Sequence, residues 1–388
     1  MAHNLLSSAW KNLDSYELRL LLEARIGGPG QYDDESSGPS RLHLPLAREQ
    51  CQVALTYQER KIVRVEAGPA FDADRWAQIV DEIATSVLTG PTKVGREFSF
   101  SSYRVAGCWR GHRSGVQILP APDDAPRAEV ESAEHPFILE FPVQVSGLCA
   151  ITNHRRQREH RRLTQLLNVL LAGRTNTQST RSAHFWGHFT NGDGTTDIRW
   201  AQNFYFASLG EAVQDELTPQ PVEHLEEIHG DQYSTEVRGL DGLGLRLPAD
   251  LDEAICRYMK LGTKHREQFD RAAYWLDMAR RQWDISVSAS FAARVSAIES
   301  LINRRGPGST KRFHECLERY APGASLADRR KRMYDLRSGI LHGSELISLD
   351  EDVAFGWDPP WWDEHQLLAE LTELTRLAIR NWLRDPTP

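Results

Sequence analysis

The strongest constraint on this chain is a run of helical patterns that begins after Pro248 and continues almost to the last residue, broken only by short turns. Asp250 stands where a helix cap would, ahead of a helix to about Leu261, and Gly262 interrupts it. A second helix is expected over 265–283, ended by Asp284. The next, over 287–303, repeats Phe291, Val295, Ile298, Leu301 and Ile302 at helical spacing. Gly306-Pro307-Gly308 turns the chain into a short helix from Ser309 or Thr310 to Tyr320. Pro322-Gly323 turns it again, and Ser325 with Asp328 three residues later fits a capping box. That helix should reach His342, with Gly343 as the left-handed residue that ends it. A final amphipathic helix is expected over 363–383. Helices of this length on short loops imply an antiparallel bundle over 249–388.

The first 248 residues mix two periods. Residues 61–67 and 97–105 alternate as half-buried strands do. Residues 136–145 are apolar enough for a strand, and Pro142 favours an edge. Residues 198–207 are an aromatic strand candidate, helices are expected near 72–88 and 153–171, and 26–39 and 120–130 read as loops. The fold class is therefore an α+β N-terminal region, read as sensing or regulatory, followed by an all-α bundle.

No apolar run approaches the ~20 residues that span a bilayer. The first residues carry no basic segment ahead of an apolar core, so no secretory signal is expected. The five cysteines are scattered, and none has C-x-x-C spacing. A disulfide framework or zinc site is not expected, and a reducing cytoplasm is. Net charge is −8, from 46 basic and 54 acidic side chains, which argues against a uniform coat for nucleic acid or anionic lipid. Charge is nevertheless focused: residues 301–340 hold 10 basic against 4 acidic groups, and residues 341–370 hold 8 acidic and no basic ones.

The chemistry is concentrated in residues 333–345, MYDLRSGILHGSE. On a helical wheel Met333, Leu336 and Ile340 form an apolar stripe, and Arg337 falls on its flank beside Leu341. An arginine there buries its stem and needs an anion or an interface. His342, about 140° further round, lies in the last turn, where the helix dipole favours a cation. One helix does not bring both side chains to one ligand; two copies about a two-fold axis do. Histidine moves protons near neutral pH, arginine stabilises charge on a phosphate, and RNA supplies its own 2′-hydroxyl nucleophile. Cleavage on these groups needs no metal and no cofactor.

Arg337 and His342 form an R-x-x-x-x-H pattern that resembles HEPN-domain ribonucleases, most closely the ApeA-like HEPN family of bacteria. Further features of that family are Ala297-Ile298-Glu299-Ser300-Leu301, the helix at 311–322 ending in Arg319-Tyr320-Ala321-Pro322, the run Tyr334-Asp335-Leu336-Arg337-Ser338 through His342-Gly343, and the closing Arg380-Asn381-Trp382-Leu383. The likeness covers about 251–383. It implies a dimerising HEPN bundle with a composite site of Arg337 and His342 from both protomers, cleaving RNA in defence against phage. Ser338, Tyr334, Asp335 and Glu299 would support that site, with Glu299 read first as an arginine's partner. Lys311, Arg312, Arg329, Arg330, Lys331 and Arg332 would bind RNA. Active members commonly have Asn, Asp or His where this chain has Ser338, which can bond a phosphate but assists proton transfer less. The alternative is a non-catalytic RNA-binding or dimerisation module, with the main activity in the N-terminal region.

Other candidates have plainer readings. The five arginines in 153–162 read as a solvated or ion-paired face before an RNA-binding one. His184 with His188, and His224 with His229, lack a third ligand nearby. The glycine-rich stretches at 187–194 and 239–244 lack the lysine of a phosphate-binding loop. Trp357, Trp361 and Trp362 read as a plug for the bundle end before a base-stacking surface.

Overall fold

The computed structural model describes residues 4–10, 13–33, 39–45, 48–87, 90–123, 125, 135–176, 184–190, 193–202, 211–229, 244–283, 285–302, 308–323, 327–351 and 359–386. The chain forms two compact units, one of Met1–Gly95 with Pro142–Glu159 and the other of Arg96–Phe141 with His160–Pro388. Asp284, Gly306, Pro307, Ser325, Trp357 and residues 239–243, all singled out above, lie outside the described residues.

In the first unit, strands β1 (Gln31–Asp33), β2 (Arg41–Leu44), β3 (Val53–Gln58) and β4 (Lys61–Ala67) form an antiparallel sheet in chain order. The β3–β4 hairpin turns on Glu59 and Arg60, both at positive φ (48° and 66°), the backbone of a two-residue turn that matches strand twist. Helix α1 (Ser15–Ile26) is capped by Asp14, whose carboxylate accepts from the Tyr16 and Glu17 amides, and helix α2 (Ala73–Val87) starts after Asp72, which does the same for Asp74 and Arg75. Leu18, Leu21 and Leu22 of α1, Trp76, Ile79 and Ile83 of α2 and the inward residues of the sheet make one core. Helix α3 (Cys149–Leu170) brings Ile151 to that core, so it starts four residues before the expected 153.

The arginines of α3 are held by acids. Arg155 is buried in a two-pronged pair with buried Glu17 (2.7 and 3.0 Å), Arg158 meets Asp14 and Glu17, and Arg162 meets Asp270.

The second unit is built on a sheet in which β12 (Val213–Gln214), β5 (Thr92–Ser101), β8 (His135–Gln144), β7 (Gln117–Pro120) and β6 (Trp109–Arg110) follow one another, with β9 (Thr175–Asn176) also on β5; β6–β7, β7–β8 and β5–β9 pair antiparallel. The alternating stretch at 97–105 thus ends as strand at Ser101, where the Ser101 hydroxyl and the Ser102 amide both bond the Arg174 carbonyl. Pro142 pointed to an edge, but β8 is interior. Its pairing with β7 spans Phe137 to Glu140, so the proline's missing N–H falls beyond that ladder. One face of the sheet presents Ile118, Phe137, Leu139 and Phe141 to the leucines of α3 and to the helices that follow. The other carries Leu119 and Ile138 with Cys108. A hairpin of β10 (His184–Thr190) and β11 (Thr196–Gln202) stands as a separate sheet and holds His184 and His188 on a strand. Of the expected 198–207 strand, 203–207 lie outside the described residues. Short β13 (Glu227–Ile228) pairs with β14 (Leu247–Pro248) in parallel.

The C-terminal region is helical: α4 (Leu251–Lys260), α5 (Thr263–Gln282), α6 (Val287–Leu301), α7 (Ser309–Tyr320), α8 (Ala327–His342), α9 (Ser348–Glu351) and α10 (Pro359–Arg384). Phe269, Phe291, Ile298, Phe313, Leu371 and Trp382 share one continuous cluster with the sheet. The change from mixed to helical structure at Pro248 therefore lies inside the second unit, because Leu245, Leu247 and Leu251 belong to that same cluster. Among the described residues no helix is long and apolar enough to cross a membrane.

Two helix ends and one whole helix depart from expectation. Asp250 makes no side-chain cap; its carboxylate takes Arg380 (2.7 Å) and Arg384 (2.9 Å) from α10. Helix α10 begins at Pro359, not 363, since proline is well suited to a first turn whose amide needs no partner. Helix α9 lies in the acidic stretch between the helix expected to end at His342 and the one expected from 363, and its Asp350 serves the start of α6.

Candidate functional site

Helix α8 buries Met333 and Tyr334 and packs Leu336 and Ile340 against the core. Arg337 follows on the flank with 22% of its side chain exposed. Its Nη2 donates to the Glu299 carboxylate of α6, and its guanidinium lies 5.8 Å over the Tyr334 ring. The Tyr334 hydroxyl donates to the other Glu299 oxygen at 3.3 Å. The fold therefore brings together Glu299, Tyr334 and Arg337: a buried aromatic stem, a carboxylate clamp, and a cation still open to solvent. Arg337 Nε is buried and has no acceptor among the described residues.

The remaining supporting residues stand apart from this trio. Asp335 is exposed, and half-buried Ser338 makes no side-chain hydrogen bond to the described residues. His342 is exposed on the last turn of α8. Gly343 follows at φ +73°; its amide bonds the Ile340 carbonyl, and the Ser344 amide bonds the Gly339 carbonyl. Glu345 then folds back over the helix, so closely that a Cβ at Gly339 would meet its carboxyl group at 2.7 Å.

What fixes this helix end was not singled out in the sequence. Ile347 is buried, and its amide donates to Ser288 Oγ at 2.8 Å. Asp350 accepts from the Val287 and Ser288 amides (2.8 and 2.7 Å) and from the Ser286 hydroxyl (2.8 Å). Burial works against the Asp350 charge, but the donors of Ser288, Val287 and Ser286 outweigh it and hold its carboxyl below the usual range. Asp250 behaves alike, with Arg384 and Arg380 overcoming desolvation. The only signal of the Asp350 tether was the unsatisfied amides that any helix start carries.

Much of the basic segment read as RNA-binding is engaged within the chain. Arg330 is 2% exposed and donates to the Ala321 carbonyl at the end of α7 (2.9 Å). Arg329 pairs with Glu370 of α10 at 2.7 Å and Arg332 with Asp363. Lys311 reaches Glu315 on its own helix (3.7 Å), and Arg312 on the same turn is half-buried. Lys331 is exposed and makes no ion pair with the described residues. The acidic stretch that follows thus neutralises arginines of its own chain. The Arg380-Asn381-Trp382-Leu383 run is equally structural: Arg380 binds Asp250, Asn381 donates to the Tyr320 carbonyl, and Trp382 and Leu383 are buried.

The other candidates resolve quietly. His224 Nδ1 lies 3.5 Å from the buried Cys108 thiol, and His229 is exposed. Trp362 is 40% exposed. Among the described residues no three His, Cys, Asp or Glu side chains gather as a metal site would require. Comparison with family models, with curated proteins and with solved structures finds no match for this chain.

Proposed function

We propose that the helical region is a HEPN-type bundle that pairs with a second copy and cleaves RNA through Arg337 and His342 of both protomers. The observation that carries this reading is the held but open guanidinium of Arg337, set by Glu299 and Tyr334 on the helix that ends in exposed His342. Arg337 binds the scissile phosphate and stabilises the charge that grows on it. One His342 takes the proton of the 2′-hydroxyl, whose oxygen attacks phosphorus. The bond from phosphorus to the 5′-oxygen breaks, and that oxygen takes a proton from the second His342. The products are a 2′,3′-cyclic phosphate and a 5′-hydroxyl. Lys331, which is exposed, steers the RNA backbone. The setting is defence against phage in the bacterial cytoplasm.

The test is cleavage of end-labelled RNA by the full chain in excess chelator. Wild type should give cyclic-phosphate ends, with His342→Ala and Arg337→Ala reduced about 100-fold or more. Equal activity in all three, or none in wild type, ends the enzyme reading. The competing reading is a non-catalytic RNA-binding or dimerisation module, favoured by the closure of the Arg337–Glu299 pair within one chain. It expects RNA retention that Arg337→Ala abolishes, with intact RNA recovered.

A further inference from the structure

The face of the second unit's sheet that turns away from the helices is built around a fully buried carboxylate. Glu140 accepts from Arg96 Nε (2.9 Å), Gln117 Nε2 (3.0 Å), Gln214 Nε2 (3.2 Å), and the amide (2.9 Å) and hydroxyl of Thr218. Its two oxygens offer about four lone-pair sites, so its capacity is spent. It fixes the Arg96 guanidinium and ties the segment around Thr218 over the sheet.

Beside this network lies a cavity of about 870 Å³, within the size range of small-molecule sites. Leu119 and Ile138 give it an apolar floor, and prolines at 120, 122, 136, 219 and 221 stiffen its wall. Arg96, Arg104 and His135 line it. Glu140 is no part of the wall, and among the described residues the one carboxylate there is exposed Asp123. Arg104 is exposed and its side chain bonds none of the described residues; the same holds for half-buried His135.

A sheet face that served packing alone would be sealed by apolar side chains. This one pairs an apolar floor with a guanidinium locked in place and two further basic groups. Guanidinium and imidazole groups converging on one cavity suit a multiply charged oxyanion, and the floor and proline wall suit a flat ring. We infer that this cavity binds a small organic phosphate, with the phosphoryl oxygens on Arg96, Arg104 and His135 and the ring on Leu119 and Ile138. The site is separate from Arg337 and does not depend on RNA cleavage.

The experiment titrates the full chain with ATP, pyrophosphate and adenosine by calorimetry and thermal melting. ATP should bind and raise the melting temperature, pyrophosphate should bind more weakly, and adenosine should not bind. Arg104→Gln should weaken ATP binding about tenfold or more while leaving the unliganded melting temperature unchanged, because that side chain is exposed. His135→Gln should weaken it less, and Arg337→Gln should bind ATP as wild type does. No ATP binding, or undiminished binding by Arg104→Gln, overturns the site. Loss of binding in Arg337→Gln assigns the anion to the helical region and also overturns it. Pyrophosphate binding as tight as that of ATP removes the ring subsite.

Discussion

Arg330 and Arg337 sit seven residues apart on α8, two turns along nearly the same face. They have the same chemistry and opposite fates. Arg330 is buried to 2% and donates to the carbonyl that ends α7. Arg337 lies on the flank of α8, tied to Glu299 with its charge partly in water. The first turn of α8 thus uses arginine as an internal strut, and a later turn leaves arginine held but partly open to solvent. Burial separates the two, since a cation taken out of water needs a partner within the protein whereas one partly in water need only be held.

The contrast breaks most visibly at Arg330. Arg330→Ala should lower stability by roughly 2–4 kcal/mol, from the cavity and the Ala321 carbonyl left without its donor. Urea unfolding measures it, and a loss below about 1 kcal/mol would place Arg330 with the surface arginines. Asp350→Ala should cost about 1–2 kcal/mol by freeing the amides at the start of α6, with His342 made more mobile by hydrogen exchange of 339–347.

Acid sharpens the same point. Asp350 and Asp250 titrate lower folded than unfolded. Their contribution is complete above the unfolded carboxylate range near 4 and is lost as pH falls through the folded values. Asp350→Asn should therefore flatten the fall in stability below pH 4 relative to wild type.

Arg337→Gln reverses the pattern of Arg330: a stability loss of about 1 kcal/mol or less, as expected for a partly exposed pair, with RNA cleavage abolished. Arg332→Ala, which breaks an exposed pair with Asp363, should change stability by about 0.2–1 kcal/mol. The smallest effect is chemical. Exposed Cys149 should react with a thiol reagent in the native state, while burial pushes the Cys316 thiol up to about 12 and keeps it inert.

The arginine clusters show how far a linear reading reaches. The arginines of 153–162 and those of 329–332 are both conspicuous in sequence. Glu17, Asp14 and Asp270 consume much of the first, and Glu370, Asp363 and the Ala321 carbonyl much of the second. No spacing rule could name those acids, because each lies at least 30 residues away along the chain. Glu299 was legible as an arginine's partner, since a lone acid on an apolar helix face has few other uses. Which arginine it takes was not.

The sequence by itself determined the helices after Pro248, the apolar stripe of α8, the flank position of Arg337 and the left-handed stop at Gly343. These follow from periodicity and local backbone preference, which act over a few residues. Only the tertiary structure decided that β8 is interior, that Asp250 binds α10 and does not cap α4, that Asp350 closes α6, and that Arg329 and Arg332 of the basic segment face acids of their own chain. Such choices rest on burial and on pairing between distant residues, where each buried charge must find a partner that only the folded chain brings near.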